Sequence, residues 1–248
     1  AASAVIGNTI RGGTVGIETS ISDPASALGY APGSGRNIVI GATTGILLAD
    51  ALVQGQTVEG GVTGLSGSGV IGGESLATAM IVRGATTGIG AFTGTVQHTR
   101  LEGNGTGIAA TDGLRVWRSV FIDNTVAAIA AAGVSDVRLE ANTILAATGD
   151  AVRVTDGAAR VEVRNSILSV GQGYGFFVAN DSQSGFFSDY NLIHTEGTGR
   201  IGFWTRDFTD LLDWQRDIEA FDLHSNGTTR INPDFARPYF ANRADGDL

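Results

Sequence analysis

The chain of 248 residues contains no cysteine and no lysine. The absence of cysteine excludes disulfide scaffolds and thiolate metal sites. All 16 basic residues are therefore arginines, and 25 acidic residues bring the net charge to −9. This acidic balance argues against a nucleic-acid partner, because such proteins present basic surfaces. The chain also lacks an apolar run of the roughly 18 residues that span a bilayer, so we expect no membrane span.

Proline is scarce, at 4 residues, whereas glycine is abundant, at 37. Glycine without proline is typical of neither collagen nor a flexible linker, and 42% apolar residues are enough for a buried core. Residues 1–7 show no basic or long apolar segment of a signal peptide. Since a cysteine-free chain suits an oxidising compartment, we expect an extracellular or cell-surface location, with any secretion signal already removed.

The glycines mark a repeat. The segment 42–46 recurs unchanged at 85–89, and a small residue followed by an apolar one recurs with a mean spacing of about 23 residues. The eight pairs are Gly16-Ile17, Gly45-Ile46, Gly64-Leu65, Gly88-Ile89, Gly107-Ile108, Ala128-Ile129, Ala151-Val152 and Gly175-Phe176. A fixed period of this length indicates a solenoid.

Two further apolar columns keep phase with these pairs. Seven positions before each apolar member lie Ile10, Val39, Val58, Val82, Leu101, Ile122 and Leu145, with Leu168 or Val170 replacing Ser169. A third column holds Val96, Val116, Val137 and Val161, followed after a corner by Leu101, Phe121, Ile144 and Ile167. Apolar and charged residues alternate within these runs, which predicts three short strands per coil and about eight coils of a parallel β-helix. Asn142, Asn165 and Asn191 are expected at equivalent corners, where stacked amides can bond along the axis.

These columns resemble the right-handed parallel β-helix proteins of the pectate-lyase-like superfamily over roughly residues 8–195. The resemblance implies an all-β, single-stranded, right-handed solenoid. We expect coils over 1–195, with a loop insertion at about 20–35, and a closing segment over 196–248. Four motifs of the tail are similar to the closing segment of many secreted bacterial β-helix domains: 189–192, 213–215, 222–225 and 232–235. They mark an end of the rod and imply no particular reaction.

A short capping helix is predicted at about 209–219. Leu211, Trp214 and Ile218 share one helical face, and Thr209 is the expected N-cap. Such a helix would cover the open strand edges of the last coil. The first coil shows no comparable cap, so we expect neighbouring domains of a longer chain, or self-association, at that end.

One outward face is poor in chemistry. Its columns are Glu18, Leu47, Ser66, Gly90, Ala109, Ala130, Arg153 and Phe177, and then Ser20, Ala49, Ser68, Phe92, Thr111, Ala132, Thr155 and Ala179. The enzymes that the chain resembles use acids and bases on adjacent coils, whereas these columns hold one acid and one arginine. The sequence therefore predicts no catalysis there, with Arg153 as a weak candidate beside the loop.

Another face carries Trp117 among arginines. In one interpretation Trp117 stacks on a sugar while Arg115, Arg138 and Arg160 meet a uronate or a sulfate. In the other, Arg138, Arg160 and Arg164 form solvated ion pairs with Glu140 and Glu162. His98 and Arg118 fall where Leu139 and Val163 point inward two coils later, which indicates either a register shift at a shorter corner or a polar notch near Trp117. The notch would make His98 and Arg118 weak catalytic candidates.

No metal site is predicted, because His98, His194 and His224 lack ligand spacing. We expect no cofactor, although calcium binding stays open. One cluster of acids is interpreted as a solvated surface: Asp207, Asp210, Asp213, Asp217, Glu219 and Asp222. The predicted function is a non-catalytic, secreted or cell-surface module of a larger bacterial protein, acting as a rigid spacer, an adhesion domain or a polysaccharide-contacting domain. Two alternatives remain: a polysaccharide lyase, epimerase or hydrolase acting on an acidic glycan, and a phage or filament component assembled end to end.

Overall fold

The computed structural model of the chain describes residues 7–20 and 36–230. Residues 21–35, which make up almost all of the predicted loop, and the predicted motif at 232–235 lie outside this part. Short strands follow one another around a central axis, and each pairs in parallel with strands one coil before and one coil after it. The described chain is therefore a parallel β-helix, as the sequence predicts.

Each coil contributes strands to a first, a second and a third face, in chain order. The first face is one sheet of ten strands: Thr9–Arg11, Ile38–Ile40, Thr57–Glu59, Met80–Arg83, Thr99–Glu102, Val120–Ile122, Thr143–Ala146, Ile167–Val170, Leu192–Thr195 and Asn226–Gly227. The second face consists of Val15–Ser20, Thr44–Val53, Thr63–Ile71, Thr87–Gln97, Thr106–Ala109, Ala127–Ala132, Asp150–Thr155, Tyr174–Val178 and Arg200–Phe203. Nine inter-strand steps along the first face give a rod of about 43 Å.

In the early coils the third face has no separate strands, because long strands of the second face extend into it. Thr44–Val53, Thr63–Ile71 and Thr87–Gln97 run through the corner from the second face, so that both faces form one hydrogen-bonded sheet. From the next coil onward the third face has its own strands: Arg115–Trp117, Arg138–Glu140, Glu162–Arg164 and Phe187–Asp189. The remaining elements are the strand Asp207–Phe208, antiparallel to Arg200–Phe203, the 3₁₀ turns Leu76–Thr78 and Asn180–Ser182, and the α-helix Leu211–Ile218.

In the six repeated pairs that begin with glycine, a side chain on the glycine would have no room. Ala128 and Ala151 carry a Cβ atom at the equivalent position in the other two pairs. A Cβ atom on Gly64 would come within 2.4 Å of the Gly88 carbonyl oxygen and 2.6 Å of Val82 Cγ1. Gly45 and Gly107 meet the next coil in the same way. The repeat that reveals the fold in the sequence therefore records a steric limit between stacked coils.

The second-face anchors are confirmed, because Ile46 pairs with Leu65 and Ile108 pairs with Ile129 in register. The predicted first-face column is one residue off in its later coils. Leu101, Phe121, Ile144 and Leu168 are level with one another. Ile122, Leu145 and Ser169 lie one position further along, and Ile167 lies one position before.

The predicted third-face column is also wrong in its second half. Val96 and Val116 are level with Leu139 and Val163, not with Val137 and Val161. The reason is that the corner lengthens: Ile89 and Val96 are seven positions apart, whereas Val152 and Val163 are eleven apart. Asp136 and Arg160 turn that corner with left-handed backbone, at φ 63° and 54°.

A ladder of side chains closes the corner before the first face. The backbone N–H of Ser119 donates to Asn142 Oδ1, that of Asn142 to Ser166 Oγ, and that of Ser166 to Asn191 Oδ1, at 3.0, 3.2 and 3.0 Å. The pattern starts with Asn8, which donates to Asn37 Oδ1, and ends with Asn191, which donates to Ser225 Oγ. Asn142 and Asn191 thus lie at equivalent corners as predicted, but Ser166 lies between them, so their side-chain amides do not bond to each other. Asn165 was wrongly placed in this ladder, since it precedes the rung formed by Ser166.

The capping helix is present at Leu211–Ile218, with Leu211 and Trp214 buried. Its N-cap is Asp210 rather than the predicted Thr209, because the Asp210 carboxylate accepts from the N–H groups of Leu212 and Asp213. The Trp214 ring lies over Gly202 and stacks on Phe176, with ring centres 6.1 Å apart. The helix therefore seals the apolar interior of the last coils.

Asp222 is the polar centre of this cap and is completely buried. Oδ2 accepts from the Ser188 hydroxyl and, at 2.9 Å, from Trp214 Nε1, while Oδ1 accepts from Ser225 Oγ and Asn191 Nδ2 at 2.7 and 3.1 Å. Burial raises the pKa of Asp222, against these four hydrogen bonds, which lower it. One carboxyl thus links the helix to the third face and to the corner ladder.

We predict that Gly64→Ala destabilises the rod by about 1–3 kcal/mol, because the added methyl group overlaps the next coil. Gly90→Ala is the matched control, since its Cβ would meet only threonine methyl and Cβ atoms at 3.1 Å or more. We expect the control to stay within about 0.5 kcal/mol of the parent protein in urea unfolding. Equal stability of the two variants would contradict the steric account.

We predict that Asp222→Asn lowers the free energy of unfolding by about 2 kcal/mol or more at neutral pH, because an amide NH₂ replaces an oxygen that accepts two hydrogen bonds. Asp217→Asn, on the exposed side of the same helix, is the control and should cost under about 0.5 kcal/mol.

The difference between the parent protein and Asp222→Asn should also depend on pH. A folded pKa above the unfolded value makes the contribution of Asp222 complete below the ordinary carboxyl pKa of about 4, and this contribution falls as pH rises through the folded pKa. The stability difference should therefore narrow from acidic to neutral pH. A difference that widens with rising pH would show that the hydrogen bonds outweigh burial.

Candidate ligand-binding face

Two columns of outward side chains run along the third face. The first column is Leu52, Val70, Thr95, Arg115, Arg138, Glu162 and Phe187. The second column includes Gln97, Trp117, Glu140 and Arg164, and ends at Asp189, which is buried. Trp117 is therefore next to Glu140, whereas the predicted register placed it beside Arg138. The third face is therefore rich in polar and aromatic groups.

A groove of about 660 Å³ lies at the start of this face. The half-buried side chains of Leu52 and Val70 line it, with the Asp50 and Glu74 carboxyls and the Gln54 amide. One wall is the chain segment 72–78 that follows Thr63–Ile71. Gln97 closes the groove on the side that faces Trp117.

The wall is fastened by two side chains of the next coil. Gln97 Nε2 donates to the carbonyl oxygen of Gly73 at 3.1 Å, and His98 Nδ1 lies 2.8 Å from the same oxygen. His98 is nearly buried, at 9% exposure. Its contact with Gly73 therefore gives His98 a positioning role for the groove wall.

Trp117 stands one coil beyond the groove with 37% of its surface exposed. The guanidinium carbon of Arg118 lies 4.9 Å from the centre of the indole ring, and the His98 ring is 6.4 Å away and tilted. An exposed indole with a cation beside it can stack on a planar or ring-shaped group.

The arginines predicted around Trp117 fall into two groups. Arg115 is exposed, and neither Arg115 nor Arg118 makes an ion pair within residues 7–20 and 36–230. Arg138, level with Arg115, lies 3.9 Å from Glu162. Arg160 lies at the corner before this face, where it holds Asp136 through bonds of 2.7 and 2.9 Å. Arg115, Arg118 and Arg138 therefore share a surface with Trp117, and Arg160 is occupied elsewhere.

His98 and Arg118 do not point inward. Both turn the corner after the third face with left-handed backbone, at φ 41° and 48°, and Ala141 and Asn165 do so in later coils. The register-shift interpretation is thus confirmed, because Val96 and Val116 take the inward positions held by Leu139 and Val163. The groove beside His98 is formed by the segment 72–78 and not by an inward-pointing His98 or Arg118.

Arg153 lies on the second face, away from these groups. Its Nη1 is 2.8 Å from Asp150 Oδ2, and its guanidinium carbon is 4.2 Å from the centre of the Phe177 ring. Phe177 in turn stacks on Phe203, with ring centres 5.1 Å apart. On the same face Phe92 is buried, contrary to its predicted outward position, because Ala91 adopts left-handed backbone and shifts the alternation.

The acidic cluster of the tail is only partly a solvated surface. Asp210 and Asp222 are buried and hydrogen-bonded, which corrects their predicted exposure. Asp207, Asp213 and Asp217 pair with Arg200, Arg230 and Arg206. Within the described ranges no three His, Cys, Asp or Glu side chains come together in a way that could hold a metal ion.

Sequence reasoning identified Trp117 and its arginines but missed Asp50, Glu74 and the groove. A signal was present in the repeat itself: Leu65 and Ile89 are 24 positions apart, whereas Ile46 and Leu65 are 19 apart. The extra residues in that coil form the segment 72–78. Excess length in one coil of a solenoid is where a loop wall is expected.

Comparison with known proteins identifies the fold. Residues 83–193 match the family model for the right handed beta helix region. This match and the parallel sheets agree in showing a right-handed parallel β-helix, which is consistent with the pectate-lyase-like superfamily. No curated protein and no solved structure matched the chain. Among the described residues, no helix has the length and apolar character needed to cross a membrane.

We predict that His98→Ala loosens the groove wall, because the wall loses one of its two side-chain contacts at the Gly73 carbonyl oxygen. Hydrogen exchange of peptides covering 72–79 should become faster, because the free energy of opening this segment falls by about 1 kcal/mol. Arg118→Ala is a close control, since it removes a side chain from the same left-handed corner position one coil later. Unchanged exchange in His98→Ala would show that Gln97 and the backbone hydrogen bonds of Gly72 and Thr78 hold the wall without His98.

Proposed function

Because the chain is a right-handed parallel β-helix protein, we propose that its third face binds an extended polysaccharide without cleaving it. The single observation that carries the proposal is the exposed indole of Trp117, flanked by two arginines without acidic partners in the described chain and aligned with a groove. Indole rings stack on the apolar faces of sugar rings, and guanidinium groups bind carboxylates and sulfates through paired hydrogen bonds.

The geometry suits a polymer rather than a small molecule. Val70, Thr95 and Arg115 are level with one another on successive coils, so the groove and the Trp117 surface form one track parallel to the axis. Two inter-strand steps, or about 10 Å, separate Val70 from Arg115. A rigid rod presents such a track without losing conformational entropy on binding.

In this proposal the chain is a secreted or cell-surface module that serves in adhesion or as a rigid spacer in a larger bacterial protein. The acidic net charge of −9 favours local recognition at the arginines over nonspecific attraction to anionic polymers.

A hydrolase, lyase or epimerase is the second candidate, and one observation favours it: two carboxyls, Asp50 and Glu74, line the same groove. Acid-base chemistry on a glycan uses such groups. Release of new reducing ends or unsaturated products, lost in Asp50→Asn and Glu74→Gln, would establish this function in place of the proposed one.

We predict that Trp117→Ala lowers affinity for the bound polysaccharide by about tenfold or more, because a central stacking residue dominates binding energy. Retention on a panel of acidic and neutral polysaccharides, with and without calcium, measures this effect. Arg160→Ala is the control and should bind normally, because Arg160 is held by Asp136. Retention by neither the parent protein nor the control would contradict the proposal.

A further inference from the structure

We propose that the groove and the Trp117 surface are two subsites of opposite charge, so that the third face selects a zwitterionic polysaccharide. This inference rests on the proposed function and adds the class of ligand. In the ligand, a sugar with a carboxylate or sulfate lies at Trp117, and a sugar with a free amine lies in the groove.

The charged side chains that line the groove are both acidic. Asp50 and Glu74 are its charged lining residues, and the polar groups beside them are the amides of Gln54 and Gln97 and the hydroxyls of Ser75 and Thr78. Asp50 Oδ1 accepts from Ser68 Oγ at 2.6 Å, which orients the carboxylate. The lining contains no arginine, lysine or histidine. A uronate there would meet like charge, whereas a protonated amine would meet two acids and several hydrogen-bond acceptors.

The Trp117 end has the opposite character. Arg115 and Arg118 lack acidic partners in the described part of the chain. Further along the face the charges cancel, since Glu162 pairs with both Arg138 and Arg164, and Glu140, level with Trp117, adds a second carboxylate. Unpaired cations are therefore concentrated at one coil of the track. A ligand group with negative charge is expected at that coil and nowhere else on this face.

The two subsites are held at a constant distance by the register of the strands. Thr95 is level with both Val70 and Arg115. Gln97 and His98 contact the carbonyl oxygen of Gly73 and so hold the groove wall against the coil that contains Thr95. The face therefore favours a chain whose positive and negative sugars have the spacing of the two subsites.

The test compares chondroitin oligosaccharides, which alternate uronate and N-acetylated amino sugar, with the same oligosaccharides after removal of the acetyl groups. Isothermal titration should show about tenfold tighter binding of the free-amine form by the parent protein. In Asp50→Asn/Glu74→Gln this preference should vanish, while affinity for the acetylated form is retained. Asp156→Asn/Glu219→Gln changes the net charge equally at exposed sites outside the face and should keep the preference.

The outcomes separate the two proposals. Equal binding of both forms by the parent protein, or a preference that survives in Asp50→Asn/Glu74→Gln, overturns the acidic subsite and leaves the Trp117 surface standing. Binding of neither form, together with no retention on the wider polysaccharide panel, overturns the proposed function and with it this inference. Both proposals are supported if Trp117→Ala loses affinity for the acetylated and the free-amine form, while Asp50→Asn/Glu74→Gln loses only the preference for the free-amine form.

Discussion

The hydrogen bonds between successive coils are the constraint on which the rest of the structure depends. Each strand pairs with the strand above and below, so every coil must repeat the outline of its neighbour. Residues at equivalent positions of successive coils therefore form columns along the rod. The same requirement explains the glycines Gly45, Gly64 and Gly107, where the backbone of one coil meets that of the next. The corner ladder that includes Asn142 and Asn191 satisfies backbone donors at a bend that strand pairing does not reach.

Much of this architecture is readable in the sequence because one steric requirement recurs every coil. The errors have a common cause in the corners. Asp136, Arg160 and Ala91 adopt left-handed backbone, which a non-glycine residue rarely does, and each moves the residues after it out of the expected alternation. No pattern in the amino-acid sequence distinguishes such residues from their neighbours. Alternation therefore locates the strands, and the register between coils requires the structure.

The candidate site divides in the same way. Trp117 and Arg115 stand out in the sequence because an aromatic residue lies beside arginines, whereas most outward side chains of the second face are small. Asp50 and Glu74 are separated by more than one coil, and only the segment 72–78 brings them to one groove. Arg160 is predicted beside Trp117 because it is an arginine of the same repeat position as Arg115, but it lies at a corner where Asp136 binds it. Asp222, which sequence alone places on a solvated surface, is buried because four donors converge on it.

The direction of the inter-coil hydrogen bonds also determines how the rod resists force. These bonds lie along the axis, so tension applied along the axis opens them one after another from an end, as in unzipping. Each coil of about 23 residues released in this way adds about 75 Å of extended chain in place of one inter-strand spacing. The helix Leu211–Ile218 and the Asp222 hydrogen bonds lie across one end and would have to yield before the coils beneath them. The capped end of the solenoid therefore resists unzipping by more than the hydrogen bonds of its last coil alone.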